Sequence, residues 1–302
     1  MKLPVTTVID RDLCNGCGLC VSICPSQTLS LIDGKAVVTG DRSLQCDHCA
    51  SICPTGAITV HGIHKYALEL KTVTNRDEWL PYGSFDTSSL VQLMRSRRSC
   101  RTFSEQPVKR TVLEDLVKIG TTAPSGTNSQ LWTFTILPNR SSVDKLGGAT
   151  GRFFARINKM AEKSVLRFFS KLFMKDALGR YYREYYDSIK EGLQEWEETG
   201  KDRLFHGAPA AILIGMRPGA STPCEDALLA TQNILLGAHA MGLGSCLIGF
   251  AVEAIKRDTR IKQRIGIPRE EHIYAVIALG HSEEKYIKPA GRKKIVPRYY
   301  EG

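Results

Sequence analysis

The sequence lacks long hydrophobic runs. None of its 302 residues belongs to a run of the roughly 18 consecutive apolar residues that a membrane-spanning helix requires. The first ten residues also lack the apolar core of a secretory signal peptide. With 42% hydrophobic and 24% charged residues, the composition excludes a largely disordered chain. We therefore expect a cytoplasmic protein of about two domains, without a transmembrane segment.

The sequence also lacks a Gly-x-Gly-x-x-Gly dinucleotide fingerprint, so nothing in it favours direct use of NAD(P)H. The formal net charge is +10, yet residues 1–62 contain four basic and five acidic side chains. The positive balance of +11 therefore lies in residues 63–302. No helix-turn-helix or aromatic-rich strand motif accompanies this charge, and we do not expect nucleic-acid binding.

Cysteine is scarce outside one short region. Seven of the ten cysteines lie between Cys14 and Cys53, and this region repeats itself with an offset of 29 residues. The repeat matches Cys17 with Cys46, Cys20 with Cys49, and Cys24 with Cys53. The same offset takes Cys14 to Ser43, so one position of the second copy has lost its thiol.

The first copy has the spacing Cys-x2-Cys-x2-Cys-x3-Cys-Pro, which is typical of paired iron-sulfur clusters whose fourth cysteine ligates the neighbouring cluster. We predict that one 4Fe-4S cluster is held by Cys14, Cys17, Cys20 and Cys53. A second cluster is then held by Cys24, Ser43, Cys46 and Cys49. It is either a 4Fe-4S cluster with a non-cysteine ligand or a 3Fe-4S centre. The candidates for that ligand are Ser43, water, Asp41, Asp47 and His48.

Zinc and disulfides are the alternative explanations for the cysteines. Structural zinc sites separate two ligand pairs by a longer loop, whereas these cysteines follow one another closely. Disulfides are typical of secreted chains, which this sequence does not resemble. Residues 1–62 resemble the bacterial two-cluster ferredoxin domain. This resemblance implies that they transfer single electrons.

Residues 63–86 show no sustained hydrophobic period and contain turn-forming residues, which predicts a linker. A larger domain is expected over residues 87–302. The sequence predicts helices at 88–95, 112–119 and 226–241 and buried strands at 132–137, 210–216 and 274–279. A capping box of Thr111 and Glu114 is expected to open the second helix. The predicted fold class is α+β.

Four segments of the larger domain resemble the nitroreductase-like FMN flavoprotein family, whose fold is an α+β sandwich. They are residues 97–103, 123–132, 242–249 and 280–294. Clustered arginines beside a hydroxyl suit a phosphate, and glycines let the main chain approach a flat ring. The resemblance implies an FMN cofactor, a homodimer, and reduction of a small conjugated acceptor such as a nitroaromatic or a quinone.

The resemblance also assigns roles to individual residues. The FMN phosphate end would be bound by Arg97, Arg98, Ser99, Arg101, Arg292 and Lys293. The backbone of Pro124, Ser125 and Gly126 would lie along the flavin, and Asn128 would reach the polar edge of its ring. The backbone amides of Leu247, Ile248 and Gly249 would bind flavin N5 and O4. No side chain is predicted to be catalytic, because the flavin supplies the chemistry.

Residues 151–203 are predicted to form a helical insertion or lid. Seven lysines and arginines from Arg152 to Lys175 recur at steps of three or four beside apolar residues, which predicts one helix with a basic stripe. The interpretations are a lid over a substrate pocket, a docking site for an acidic electron-donor protein, contact with an anionic membrane, or a solvated face.

These features together predict that electrons pass from ferredoxin-type clusters through FMN to the acceptor. Two alternatives stay open. One is a redox sensor that uses the altered second cluster as its trigger, and the other is an electron-transfer relay without a substrate of its own. The helix at 226–241 is expected at the dimer interface.

Overall fold

The computed structural model describes residues 3–64 and 66–302. Residues 3–62, the ferredoxin-like unit, form two small antiparallel sheets and two short helices. Strand β1 pairs with β4, and β2 pairs with β3. The bounds are β1 Thr7–Ile9, α1 Leu19–Ile23, β2 Leu29–Ile32, β3 Lys35–Val38, α2 His48–Ser51 and β4 Ile58–Val60. The offset of 29 residues that relates the cysteines also relates α1 to α2 and β2 to β4.

The larger domain is built on one four-stranded antiparallel sheet with the strand order β5-β6-β8-β7. The bounds are β5 Trp132–Leu137, β6 Ala210–Met216, β7 Gly244–Leu247 and β8 His272–Gly280. The three predicted strands are confirmed as β5, β6 and β8. Strand β7 was not predicted, because it has only four residues and begins with the small residues Gly244 and Ser245. A hydrophobic alternation cannot be recognised over so short a segment.

Nine helices surround this sheet in the described part of the domain. They are α3 Thr87–Ser96, α4 Arg110–Gly120, α5 Arg140–Ala161, α6 Ser164–Phe173, α7 Ala177–Glu184, α8 Tyr186–Thr199, α9 Pro223–Ala240, α10 Gly249–Arg257 and α11 Thr259–Arg264. Helices α3, α4 and α9 confirm the three predicted helices. Across residues 3–64 and 66–302, no helix combines the length and apolarity needed to cross a bilayer.

Both faces of the sheet are buried. Side chains alternate along a strand, so neighbours face opposite sides. Leu213 and Val276 belong to a core shared with α5, α10 and α11, whereas Ile212 and Ile277 belong to a core shared with α4 and α9. Every residue of β6 is therefore buried, which explains its unbroken apolar sequence. This three-layer arrangement confirms the predicted α+β class.

The predicted capping box at the start of α4 is wrong. The helix begins at Arg110, one residue before Thr111, and its N-cap residue Lys109 makes no side-chain hydrogen bond. A capping side chain has to precede the helix, because the residue that carries it needs a non-helical backbone. Thr111 lies inside the first turn instead.

The basic stripe is divided between two helices. Lys163 has an extended backbone (φ −81°, ψ 111°) and separates α5 from α6. Arg167 folds back and donates hydrogen bonds to the carbonyls of Ala161 and Glu162. It thereby satisfies carbonyl groups at the end of α5 that have no helical partner. The prediction of one continuous helix over residues 152–175 is therefore wrong.

The segment of residues 63–86 contains no helix or strand in its described part, yet it is fixed to α4. The buried Asp115 accepts hydrogen bonds from the N–H groups of Lys71 (3.0 Å) and Thr72 (2.7 Å) and from the Thr72 hydroxyl (2.6 Å). Burial raises the pKa of Asp115, but these hydrogen bonds outweigh it and leave the pKa below its ordinary value. Asp115 therefore anchors this segment to the larger domain as a carboxylate.

Candidate functional site

Two cavities of the ferredoxin-like unit are lined by the predicted cluster ligands. Cys14, Cys17, Cys20 and Cys53 line the first cavity. Cys24, Ser43, Cys46 and Cys49 line the second. The cavities enclose similar empty volumes, about 300 and 370 Å³. The eight side chains thus fall into two sets of four, and each set takes one member from the other half of the repeat. We call these sets the first and second half-sites.

Ser43 occupies the hydrogen-bonding position of Cys14. In the first half-site, Cys14 Sγ accepts a hydrogen bond from the N–H of Ala36 (3.4 Å) and another from the backbone of Gly16. In the second half-site, Ser43 Oγ accepts one from the N–H of Gln45 (3.0 Å), again two residues further along. The second half-site therefore presents a hydroxyl where the first presents a thiol.

The loop of the second half-site keeps its shape without glycine. Gly16 and Gly18 both have left-handed backbones with φ of 74°. Their counterparts Gln45 and Asp47 have φ of 49° and 62°. For residues with a Cβ this conformation costs about 1–2 kcal/mol each. The backbone of both copies is therefore held in the same loop conformation by the surrounding structure.

The arrangement of donors suits clusters better than single ions. Within the described residues, no three His, Cys, Asp or Glu side chains converge on one metal position, as a mononuclear zinc site would require. Ligands of an iron-sulfur cube bind different iron atoms and surround a cavity instead. The cysteine-lined cavities therefore fit iron-sulfur clusters.

The thiols differ in acidity within each half-site, because burial also raises the pKa of Cys20 in the first and hydrogen bonds at Thr28 lower the pKa of Cys24 in the second despite its burial. Backbone hydrogen bonds from Ala36 and Gly16 lower the pKa of Cys14. Burial raises the pKa of Cys49 to about 11. The thiolate is the form that binds metal, so cluster assembly has to displace a proton from Cys49 at neutral pH.

Three of the four flavoprotein-like segments meet at the outer edge of β7. Ser99 forms a parallel bridge with Ser245, and the N–H of Cys100 donates to the carbonyl of Ser245 at 2.9 Å. Phe103 forms an antiparallel bridge with Ser282, directly after β8. The segment of residues 97–103 therefore lies between β7 and the chain that follows β8.

Arg97, Arg98 and Arg292 form a cluster of positive charge at this edge. Partial burial lowers the pKa of Arg97, and the nearby charges of Arg98 and Arg292 lower it further. None of the three guanidinium groups has an ion-pair partner among the described residues. Ser99 adds a hydroxyl beside them. Such a cluster fits a phosphate group, because charge-assisted hydrogen bonds would offset the repulsion between the cations.

The other predicted phosphate ligands are exposed. Arg101 lies near the site, and its backbone N–H donates to the carboxylate of Glu284 at 2.7 Å. Lys293 lies in the irregular segment after β8.

His206 lies near Arg101 and was not identified from the sequence. Burial lowers the pKa of His206, and the charge of Arg101 acts in the same direction. A lone histidine between elements has no spacing signal that could have identified it.

The loop of residues 124–130 is anchored to α9. The buried Asp226 accepts hydrogen bonds from the N–H of Gly126 (2.9 Å) and the hydroxyl of Thr222 (2.8 Å). A Cβ on Gly126 would lie 2.2 Å from Thr222 Oγ1, so the close approach requires glycine. Ser125 Oγ accepts the N–H of Gln130 at 3.0 Å, and Pro124 is exposed. Asp226 was not identified from the sequence, because an acid in a first helical turn is common.

Asn128 has partners other than the predicted one. Its Nδ2 group donates to the carbonyls of Leu44 (3.1 Å) and Gln45 (2.8 Å) in the ferredoxin-like unit. Its Oδ1 accepts a hydrogen bond from Gln130 Nε2 at 3.0 Å. Both amide hydrogens are therefore used. A contact between Asn128 and the flavin stays a prediction that requires these bonds to be exchanged.

The three amides predicted to bind flavin N5 and O4 differ in availability. The N–H of Ile248 donates to the carbonyl of Val276 at 2.8 Å, because strand pairing continues past the end of β7. A contact between the Ile248 amide and the flavin stays a prediction that requires this bond to be exchanged. The alternation of antiparallel pairing points the N–H of Leu247 away from β8, and Gly249 is the first residue of α10, where an N–H lacks a helical partner.

Comparison with protein families matches both parts of the chain. Residues 94–281 match the nitroreductase family, and residues 7–30 match the 4Fe-4S binding domain. These matches define an iron-sulfur protein of the flavin-dependent oxidoreductase class. The chain belongs to the nitroreductase family and carries an N-terminal 4Fe-4S binding domain. Both resemblances noted in the sequence are thereby confirmed.

Individual relatives are enzymes. The chain is 27% identical over 214 residues to iodotyrosine deiodinase of Thermotoga neapolitana, covering 70% of this chain and 97% of the relative. It is 28% identical over 212 residues to an oxygen-insensitive NADPH nitroreductase of Helicobacter acinonychis, covering 68% and 92%. It is 24% identical over 226 residues to a 4-nitrobenzoate reductase of Nocardioides, covering 64% and 81%.

Proposed function

We propose that this oxidoreductase takes single electrons at ferredoxin-type clusters and uses them, through FMN, to reduce a small conjugated acceptor. When bound, the clusters would carry electrons singly, and FMN would accept them one at a time and deliver two to the acceptor. Each turnover oxidises two molecules of a one-electron donor, or one molecule twice. The acceptor gains two electrons and two protons, the protons coming from water or from the substrate itself. No side chain is assigned as a catalytic acid or base.

One observation carries the proposal: a single chain holds both cysteine-lined half-sites and a cluster of arginines that is suited to a phosphate and has no ion-pair partner among the described residues. A nitroreductase that takes its electrons from a soluble nucleotide has no need of cluster ligands. Their presence favours a protein electron donor. The charge of +11 on residues 63–302 favours a donor with an acidic surface.

We assign the residues that would hold the cofactors from the family resemblance, and the contacts described above support this assignment. Arg97, Arg98, Ser99, Arg101, Arg292 and Lys293 would bind the FMN phosphate end. The backbone of Pro124, Ser125 and Gly126 and the amides of Leu247 and Gly249 would lie along the flavin. One 4Fe-4S cluster would occupy the first half-site. The second half-site would hold either a 4Fe-4S cluster with Ser43 or water as fourth ligand or a 3Fe-4S centre.

The proposed acceptor is aromatic or quinone-like. The relatives are named for iodotyrosine, 4-nitrobenzoate and nitro compounds, which are all electron-poor or halogenated conjugated molecules. A flavin site that stacks a flat ring suits this class.

The cytoplasmic location of the protein stays a prediction.

A homodimer is proposed from the exposed apolar surface of α3 and α9. Leu90, Val91 and Met94 of α3 and Leu228 and Leu229 of α9 are exposed. The two helices contact each other, and we infer that these exposed side chains contribute to one subunit interface. Sedimentation analysis of the cofactor-loaded chain should give twice the chain mass.

Anaerobic turnover tests the proposed function. The loaded protein, given a reduced ferredoxin as donor, should reduce a nitroaromatic or a benzoquinone with two donor molecules oxidised per acceptor. Replacing the donor by NADPH should give little turnover. Faster turnover with NADPH than with ferredoxin would contradict the proposed electron path, and absence of turnover with every acceptor would favour a sensor or a relay.

A further inference from the structure

Apart from the connecting segment of residues 63–86, one side chain links the ferredoxin-like unit to the larger domain by hydrogen bonds in the described residues. Asn128 Nδ2 donates to the carbonyls of Leu44 and Gln45, at 3.1 and 2.8 Å. Among the residues that the structure describes, no other side-chain hydrogen bond or ion pair connects residues 3–62 to residues 87–302. Leu44 and Gln45 lie between Ser43 and Cys46, two members of the second half-site. The contact is therefore made by the loop that carries half of that site.

Both loops at this contact are strained. Gln45 has φ of 49°, and Thr127 and Asn128 have φ of 54° and 53°. A left-handed backbone at residues other than glycine costs about 1–3 kcal/mol and persists where the surroundings hold it, often at functional sites. The hydrogen bonds of Asn128 link the strained backbone of one loop to that of the other. The two loops therefore support each other's conformation.

The corresponding loop of the first half-site has different neighbours. Gly16, the counterpart of Gln45, packs inside the ferredoxin-like unit, since a Cβ there would lie 2.0 Å from the carbonyl oxygen of Gly34. Within the described chain, residues 14–18 make no hydrogen bond to the larger domain. The repeat is symmetric in fold but not in contacts, because its second copy alone is hydrogen-bonded to the larger domain.

The loop that carries Asn128 is rigidly placed beside the proposed flavin contacts. Gly126, two residues before Asn128, is hydrogen-bonded to the buried carboxylate of Asp226. Trp132, at the start of β5, donates its indole N–H to the carbonyl of Asp226 at 3.0 Å. Asn128 therefore lies between Gly126 and Trp132, which are both hydrogen-bonded to Asp226 of α9. It also lies two residues after Gly126, the last of the residues whose backbone is proposed to lie along the flavin.

We propose that the second half-site faces the flavin site and that Asn128 is the positioning residue that holds it there. This inference rests on the proposed function for its flavin, but the docking of the two loops does not depend on which acceptor is reduced. The proposal also sets the direction of electron transfer, from the first half-site to the second and then to the flavin. The external donor would approach the first half-site, where Cys17 is exposed.

The test uses the full chain, loaded with iron, sulfide and FMN without air, and four variants. Asn128→Ala removes the two donors, and Asn128→Asp keeps the side-chain size but places a negative charge against the carbonyls. Asn75→Ala is a matched control, because Asn75 Nδ2 also donates to a main-chain carbonyl, that of Leu70 at 2.9 Å. Asn15→Ala is the reciprocal control, because Asn15 Oδ1 accepts the N–H of Cys17 in the first half-site.

Hydrogen exchange gives the first readout. In Asn128→Ala, the amides of residues 43–47 and 125–130 should exchange about tenfold faster, as the loss of two hydrogen bonds implies. Asn75→Ala and Asn15→Ala should leave these amides unchanged. Unchanged exchange of residues 43–47 in both Asn128 variants would overturn the proposal.

Cluster potentials, followed by EPR during redox titration, give the second readout. Asn128→Asp should lower the midpoint potential of the second centre and not that of the first, because added negative charge opposes reduction of a nearby cluster. A shift confined to the first centre would overturn the proposal. Hydrogen exchange and the midpoint potential of the second centre can respond as expected even if the wild-type flavin is never reduced through the clusters. In that case the docking of the two loops is supported and the proposed function is contradicted.

Discussion

Arg97 and Arg292 carry like charges, yet they lie close enough together for Arg292 to lower the pKa of Arg97. They lie almost 200 residues apart in sequence, and neither has a carboxylate partner among the described residues. Two guanidinium groups in this arrangement repel each other unless an anion lies between them. This arrangement supports the proposed site for the FMN phosphate.

Replacing Arg97 by Ala should therefore weaken FMN binding about 10- to 100-fold, the effect of losing one charge-assisted hydrogen bond. Fluorescence titration of the flavin-free protein with FMN measures this. Absorption of the iron-sulfur clusters should not change. Arg95→Ala is the matched control, since Arg95 is exposed in the last turn of α3, two residues before Arg97, and has no ion-pair partner in the part of the chain that the structure describes. Equal FMN affinity in Arg97→Ala and Arg95→Ala would refute the phosphate site.

Replacing Ser43 by Cys should complete the second half-site. The new thiol would occupy the position that accepts the N–H of Gln45, as Cys14 accepts backbone donors in the first half-site. If the native centre is a 3Fe-4S cluster, iron content should rise from about seven to about eight atoms per chain. The second centre should also survive exposure to air longer.

Ser51→Cys controls for the added thiol, because Ser51 is exposed on α2. It should change neither the iron content nor the stability of the clusters in air. Equal resistance of both clusters to oxidation in the wild type would contradict the assignment of Ser43 as the weak position.

Replacing Asp115 by Asn should detach the segment of residues 63–86 from α4. The carboxylate accepts three donors there, and an amide would turn its own N–H group toward some of them. We expect a loss of about 2–3 kcal/mol in the free energy of unfolding and faster proteolysis within the segment. Glu114→Gln is the control: its exposed pair with Lys71 should contribute less than about 1 kcal/mol.

Replacing Asp258 by Asn should make stability less dependent on pH. The side-chain hydrogen bond from Arg260, supported by Arg156, lowers the pKa of Asp258 from 3.8 to about 2. Because the folded-state pKa lies below the unfolded one, the stabilisation of about 2 kcal/mol is present above about pH 4 and is lost as the pH falls toward 2.

Urea denaturation followed by tryptophan fluorescence measures this contribution. Asp258→Asn should be less stable than the wild type by about 1–2 kcal/mol at pH 7. The difference between the two proteins should shrink between pH 5 and pH 3. A difference that stays constant over this range would contradict the assigned ion pairs.

Features encoded in local patterns could be predicted from the sequence. The spacing of the repeated cysteine motif predicts that Cys53 belongs to the first half-site and Cys24 to the second, and the two cavities are lined in the same grouping. The apolar runs at β5 and β6 end where the strands end. These patterns suffice because buried strands and closely spaced thiols leave few other arrangements.

Features that depend on contacts distant in sequence could not be predicted. The N–H of Ile248 is used by Val276, and this requires the register of β7 against β8. The break before α6 depends on Arg167 turning back to cap α5. The partners of Asn128 lie more than 80 residues earlier in the chain, and no local pattern of hydrophobicity or spacing records such a pair.

The most direct test of the central claim follows flavin absorbance after anaerobic mixing with a reduced ferredoxin. The loaded wild type is compared with a Cys17→Ala/Cys46→Ala variant whose retained FMN is measured separately. The account predicts that the wild-type flavin is reduced by two electrons after the clusters, and that the flavin of the variant is reduced far more slowly. A wild-type flavin that stays oxidised beside reduced clusters, or equal rates in both proteins, would contradict it.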